Sequence, residues 1–263
     1  MPHPAADLVA SPKVRTFLRP FIPHMVRHLR QRVMERCALR RAMAICEGLS
    51  VKETFESIYK HNLWGGQAGE FYSGGGSDAA VAEEYCAYVR QFVRDRNVRS
   101  LVDLGCGDFR VGKQLLVPGT SYVGIDVVPS LIERNNREFG GGAISFQVVD
   151  AITQRPPAAD LCLVRQVLQH LSNDQVSDIL DNCRSFRYLL VSEHLFLNGK
   201  YPVNMDKPHG FDTRPSGIRL DQAPFYCKTV TVLESPLGRD EVIRTVLLDQ
   251  RSSQGLNTEV DLL

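Results

Sequence analysis

SLVDLGCGDFRVG, Ser100 to Gly112, is the stretch on which the fold turns. An apolar run carries one acid, Asp103, and ends at two glycines one residue apart. That reads as a buried strand entering a tight turn, where bare backbone N–H groups meet a ligand without a Cβ in the way. The dinucleotide fingerprint GxGxxG requires a third glycine at position 110, which is Arg110; the next glycine is Gly112. The phosphate loop GxxxxGK[ST] is also missing, since no Lys followed by Ser or Thr stands at the right offset. The glycine pair therefore makes room for a ligand other than a pyrophosphate.

Outward from this turn the pattern is α/β. Strands are expected at 98–104, 120–127, 143–150, 159–167 and 186–194, with helical segments between most of them. One helix is well marked: Ser172 and Gln175 form a capping box, and Val176, Ile179, Leu180 and Cys183 share a stripe. Apolar strands alternating with helices give a parallel sheet covered on both faces. Two later strands, 228–235 and 241–250, are joined by the short loop PLGRD and so pair antiparallel. Upstream, Pro20 and Pro23 hold off any helix until about His24. Helices then follow over 24–47, from Val51 (Val51, Phe55, Ile58 and Tyr59 on one face) and over 79–96. The glycine-rich GGQAGEFYSGGGSD between them has no regular structure.

The 263 residues suffice for one large domain with an extension, at 43% hydrophobic and 23% charged residues. No apolar run reaches the ~18 residues of a membrane span, and no secretory leader is read. Seven cysteines without CxxC or Cys/His metal spacing fit a reducing compartment, hence a cytoplasmic protein with no structural metal. Net charge is +1, unevenly spread. Lys13, Arg15, Arg19, Arg27, Arg30, Arg32, Arg36, Arg40 and Arg41 face one acid, Glu35. With Met25, Val26, Leu29, Val33 and Cys37 at helical spacing, this reads as a basic amphipathic helix suited to an anionic membrane surface, or as a solvated face. A peripheral location at the inner membrane face is the matching expectation.

DLGCGDF followed by YVGIDVVPSLIERN resembles the class I S-adenosylmethionine-dependent methyltransferases, over about residues 70–250. The resemblance implies a Rossmann-like class I methyltransferase fold: α/β, with a mostly parallel seven-stranded sheet, an antiparallel C-terminal hairpin and an N-terminal helical extension. The corresponding division is a basic helical extension over 1–69, a methyltransferase domain over 70–251 with a substrate insertion at 196–224, and a loose tail over 252–263. It also implies S-adenosylmethionine as cofactor. Asp103, Gly105, Cys106 and Gly107 then hold its methionine part, Asp126 with Val127 the ribose, and Asp150 with Ala151 the adenine side, while Val164 to His170 line the reaction centre. Asp126, 21 residues past Gly105, also has the spacing and chemistry of a ribose acid, since one carboxylate can accept both vicinal hydroxyls. Asp108 either caps a helix or meets the amine end.

A finer resemblance is to small bacterial methyltransferases that accompany surface-glycan biosynthesis. It rests on SGGGS (Ser73–Ser77), VPSLIERN (Val128–Asn135) and RQVLQHLS (Arg165–Ser172). It implies a lid over the cofactor that includes Ser73 and Ser77, with Trp64 and Tyr72 as aromatic cover and Arg165 nearby. Gln166 stands where the resemblance leads one to expect an acid, which argues against a metal or a carboxylate base there.

Methyl transfer from a sulfonium is mainly positioning and exclusion of water, and a hydroxyl acceptor benefits from a base. His170, Glu193 and His194 are the candidates. Asn204, Asp206, His209, Asp212, Arg214 and Arg219 on the insertion are expected to form a substrate wall, with Arg165, Arg214 and Arg219 able to grip a phosphate or carboxylate. The expected partner is a small molecule or glycan, the reaction O-methylation of a sugar or phosphate-bearing group. A nucleic-acid methyltransferase using the basic N-terminus competes with it. Against that, the fourth strand ends in VRQV rather than an Asn/Asp-Pro-Pro-aromatic turn, and no Pro-Cys pair occurs. A non-catalytic cofactor-binding module is the third reading.

Overall fold

A computed structural model of the chain describes residues 24–250. The expectations for the Pro-rich start and for the tail lie outside them. The chain divides after Ala44 into two compact units.

Helix α1 (His24–Cys46) forms as its sequence indicates, but apolar and basic residues are spread around it without a single apolar stripe. Val33, Met34, Leu39 and Met43 are exposed along with Arg36, Arg40 and Arg41. The residues at helical spacing, Met25, Val26, Leu29, Val33 and Cys37, belong to its first part; taken with Leu39, Ala42 and Met43 further on, the sequence of the whole helix has no single apolar stripe. No helix among the described residues is long and apolar enough to cross a membrane.

The larger unit begins with α2 (Val51–Lys60) and α3 (Ala79–Asp95). A capping box fixes the start of α2: Glu53 N–H donates to Ser50 Oγ, and the Glu53 carboxylate accepts from Ser50 N–H. Seven strands follow: β1 (Ser100–Leu104), β2 (Ser121–Asp126), β3 (Ile144–Val148), β4 (Leu161–Arg165), β5 (Tyr188–Phe196), β6 (Val230–Pro236) and β7 (Glu241–Asp249). They form one sheet in the order β3-β2-β1-β4-β5-β7-β6. The first five run parallel, and β7 pairs antiparallel with both β5 and β6. This is the mostly parallel Rossmann-like sheet with an antiparallel C-terminal hairpin that the resemblance implies.

Alternation along each strand feeds two cores. Leu101, Leu161, Leu163, Tyr188 and Leu190 pack with Tyr85, Val89 and Phe92 of α3. Val102, Cys162, Val164, Leu189 and Val191 pack with Val176 and Ile179 of α5 (Asn173–Asn182) and with Cys183, which caps its end. The α5 capping box is formed as read from Ser172 and Gln175. Helix α4 (Pro129–Phe139) fills the β2–β3 connection. The glycine turn after β1 leads only into a 3-10 turn at Gly112–Leu115, because Pro118 and Gly119 end the segment before an α-helix can propagate.

Chain order reverses between β1 and β4, since β2 and β3 lie to one side and β5 to the other. Such a switch point opens a crevice beyond the carboxyl ends of the strands.

Candidate functional site

The cavity at that crevice has a volume of about 300 Å³. Its floor is the turn after β1. Gly105 and Cys106 N–H both donate to Ile125 O, at 2.9 and 3.0 Å, which folds the turn back onto the end of β2. Gly105 and Gly107 sit at φ +72° and +54°, where a side chain is disfavoured. Space excludes one as well: a Cβ on Gly105 would collide with Val167, and one on Gly107 with Ser73 Oγ.

Asp126 closes β2. Its carboxylate accepts from Gly107 N–H and Val128 N–H, each at 3.2 Å. Burial pushes its pKa up to about 6 against these bonds. Each oxygen keeps a lone pair for ligand hydroxyls. Helix α4 pins the turn from behind, with Asn135 Nδ2 donating to Gly107 O at 2.8 Å and Arg134 to Asp108 O at 3.0 Å. Asn135 is fully buried, which accounts for its place in the VPSLIERN stretch.

Asp103 accepts from Tyr122 OH at 2.5 Å, and burial raises it to about 6. Asp108 caps no α-helix. It bonds Ser73 N–H and Arg110 N–H instead. Asp150 turns the chain by accepting from Ile152 N–H at 3.0 Å. The roof is the segment Ser73–Ser77, held by Arg165, which donates to Gly76 O at 2.7 Å. All the residues assigned to the cofactor line this one cavity: Ser73, Ser77, Asp103, Gly105, Cys106, Gly107, Asp126, Val127, Asp150, Ala151 and Arg165.

The candidate bases separate. His170 lines the cavity, against the rings of Trp64 (5.3 Å between centroids) and Phe55 (5.8 Å). Burial, helped by the charge of Lys207, lowers its pKa to about 4, and Nδ1 is buried without a partner. Glu193 and His194 do not line the cavity. Strand β5 runs on past them to Phe196 because β7 pairs with it that far, so both are mid-strand residues. Glu193 is 2% exposed and accepts from Ile218 N–H at 3.3 Å, and His194 faces Glu241 at 3.1 Å. Their assignment as bases is corrected accordingly.

The substrate wall is corrected too. Asn204, Asp206, His209, Asp212, Arg214 and Arg219 all lie off the cavity lining, and only Thr213 of the insertion reaches it. Their polar groups tie the insertion to itself and to the neighbouring segments. Asn204 donates to Arg219 O and Ala223 O. Asp206 accepts from Asn173 N–H at the start of α5, His209 bonds Gln175 and Leu49 O, and Arg214 donates to Leu171 O and Met205 O. Asp212 faces Lys207 at 3.5 Å and Arg219 faces Asp221 at 3.3 Å. Tyr72 is likewise outside; it bonds Asp78 and stacks under Arg110 at 4.9 Å, while Trp64 is in the lining.

Sequence reasoning missed Val51, Phe55 and Tyr59 of α2 and Tyr85 of α3, while Gln166 and Gln169 line the cavity as expected of the Val164–His170 segment. The apolar face of α2 was visible in the sequence, but nothing there said that it covers a cavity. Gln166 adopts φ +56°, and a Cβ on Gly76 would collide with its side-chain amide.

Residues 102–186, from β1 to just short of β5, match the family model described as a methyltransferase domain. Within that stretch the chain is similar to methyltransferase domains.

No curated protein matches the chain in sequence. Among solved structures it is similar to the N-terminal domain of EvdMO1 with SAH bound. There the identity is 16%, coverage is 62% of this chain and 79% of that one, and the TM-score is 0.45. It is also similar to human N-acetylserotonin methyltransferase in complex with SAM (17%, 81% and 64%, TM-score 0.48). The N-methyltransferase NodS from Bradyrhizobium japonicum, in complex with SAH, stands at 18%, 63% and 86%, with a TM-score of 0.46.

The cavity fits S-adenosylmethionine, the cofactor that the resemblance implies. Two bare glycines leave backbone for close approach, the partly buried Asp126 carboxylate keeps free lone pairs, Val127, Ala151 and Ile152 offer an apolar slot, and Arg165 holds N–H groups without partners. No group of His, Cys, Asp and Glu among the described residues could hold a metal ion.

Proposed function

We propose that the chain O-methylates a small acceptor, a hydroxyl of a sugar or of a phosphate-bearing group such as bacterial surface glycans contain. The observation that carries this reading is His170, a buried imidazole beside the rings of Phe55 and Trp64, all three in the cavity wall. Aromatic faces suit the C–H surface of a sugar ring, and a neutral imidazole accepts a hydrogen bond from a hydroxyl. The resemblance to glycan-associated methyltransferases supports the same acceptor class.

When bound, S-adenosylmethionine supplies an electrophilic methyl carbon on a good leaving group. The protein's share is then placement and dryness. The turn Gly105–Gly107 and Asp126 hold one end of the cavity's occupant. The Ser73–Ser77 roof with Phe55 and Trp64 excludes water, which strengthens the polar contacts inside. With a pKa of about 4, His170 stores a proton poorly at neutral pH. Its contribution is to accept the hydroxyl's hydrogen bond and aim the oxygen, a positioning effect more than full proton removal.

The test is turnover. Purified protein with S-adenosylmethionine and a panel of sugar nucleotides, phosphosugars, amines and RNA is assayed for S-adenosylhomocysteine. Release with hydroxyl-bearing sugars is expected. Release with amines or RNA only sinks the reading.

A further inference from the structure

Arg165 ends β4 with its guanidinium inside the cavity wall. It donates through one terminal nitrogen to Gly76 O at 2.7 Å and lies 5.2 Å from the centroid of the Tyr85 ring. Its Nε and second terminal nitrogen are buried without partners. Asp103 is the nearby acid, and its carboxylate is engaged by Tyr122 OH at 2.5 Å. A buried guanidinium with two unmet donors is costly to keep unless something completes it. The fork geometry of those donors matches a carboxylate or a phosphate.

Sheet order says where such an anion comes from. Asp126 and Arg165 end the two strands that flank β1, in the order β2-β1-β4. Two strand spacings separate them, about 10 Å. A ligand whose vicinal hydroxyls sit on Asp126 and whose chain crosses the bare Gly105–Gly107 turn reaches Arg165 at its far end. The Ser73–Ser77 roof, bound to Arg165 through Gly76, closes over that end.

We infer that Arg165 is the anchor for the α-carboxylate on the cofactor's amino-acid arm, and that the same guanidinium couples the anchored carboxylate to the roof through Gly76. This rests on the reading that the cavity holds the adenosyl cofactor. A phosphate on the acceptor is the other source of the same anion chemistry.

Calorimetry separates these. S-adenosylhomocysteine carries the amino-acid arm, and 5′-methylthioadenosine keeps the adenosyl thioether without it. The wild type is expected to prefer the former by about 10- to 100-fold, the worth of charge-assisted hydrogen bonds. Arg165→Met removes that preference and leaves 5′-methylthioadenosine within about twofold, the scale of a lost side chain that never touched it. Arg165→Lys keeps the charge but not the fork and retains part of the preference. It decides the matter if the Met variant melts early. The inference falls if Arg165→Met keeps the full preference, or if a well-folded variant loses both ligands equally. It also falls if inorganic phosphate binds the S-adenosylhomocysteine complex and that binding disappears with Arg165, which puts the anion on the acceptor. Failure of the wild type to bind either adenosyl compound is a different result and removes the cofactor reading itself.

Discussion

Ser73 and Asp108 exchange hydrogen bonds: Ser73 N–H donates to Asp108 Oδ2 at 3.1 Å, and Asp108 N–H donates to Ser73 Oγ at 2.8 Å. The same hydroxyl lies 3.0 Å from Tyr59 OH. One oxygen thus joins helix α2, the glycine-rich roof and the turn after β1. Those segments are far apart in sequence, and this oxygen is one of the points that hold them in register. Networks of this kind lose more than one pairwise bond when a member is displaced.

Gly107→Ala displaces it. The new Cβ collides with Ser73 Oγ, at a φ of +54° that L residues seldom adopt. Affinity for S-adenosylhomocysteine is expected to drop at least about tenfold, since one lost charge-assisted bond already accounts for that. Gly119→Ala is the control: it has positive φ but open space around it, away from the cavity. Calorimetry finding both variants equal to wild type would contradict the coupling of roof and turn.

Asp126→Ala removes the acceptor of Gly107 N–H and Val128 N–H along with the carboxylate assigned by resemblance to the ribose. Cofactor affinity is expected to fall by at least about tenfold. Asp126→Asn keeps one oxygen and falls less. Unchanged affinity in a folded Ala variant ends the ribose assignment.

The turn and the acids that line the cavity were legible in the sequence because they depend on local chemistry. Glycines at a strand end, an acid 21 residues on and alternating apolar strands each leave a mark within a few residues. The places of the insertion's polar residues were not, because they depend on which long-range partners claim each polar group. Arg214 and Asn204 look like substrate contacts as long as their partners, Leu171 O and Arg219 O, are unknown. Glu193 looked like the end of a strand until its pairing with Arg244 carried β5 three residues further. His170 and Glu193, both candidate bases on paper, differ only in which of them the fold turns toward the cavity.

Glu193 gives a prediction about stability. It faces Ile218, Leu168 and Gln169 N–H and the charge of Arg214, yet burial outweighs these and raises its pKa to about 8. The folded state therefore keeps a proton that the unfolded chain releases near its ordinary value of 4.5. Stability from this group is complete below that value and drains away as pH rises toward 8. Glu193→Gln mimics the protonated form. Relative to wild type, it is expected to gain a few °C in melting temperature at pH 8.5 and little at pH 4.5, a gain of about 1 kcal/mol. Thermal scans showing the same difference at both values would refute the buried, protonated carboxyl.

His170 runs the other way and bears on catalysis. The folded imidazole takes up a proton only near pH 4, while the unfolded one does so near 6.5. Stability tied to the neutral form is present above 6.5 and is lost as pH falls toward 4. His170→Phe keeps the aromatic contact with Trp64 and Phe55 but has nothing to protonate. Its stability is expected to be less sensitive than the wild type's between pH 7 and 5. In the reaction the same variant loses the acceptor of the substrate hydroxyl, so turnover is expected to fall by about 10²-fold, the low end of acid–base effects, with S-adenosylhomocysteine affinity unchanged. His194→Phe, whose partner Glu241 lies off the cavity, leaves turnover near wild type. If His170→Phe instead weakens cofactor binding as much as turnover, the imidazole supports the cofactor, and the acceptor's hydroxyl is oriented by some other group.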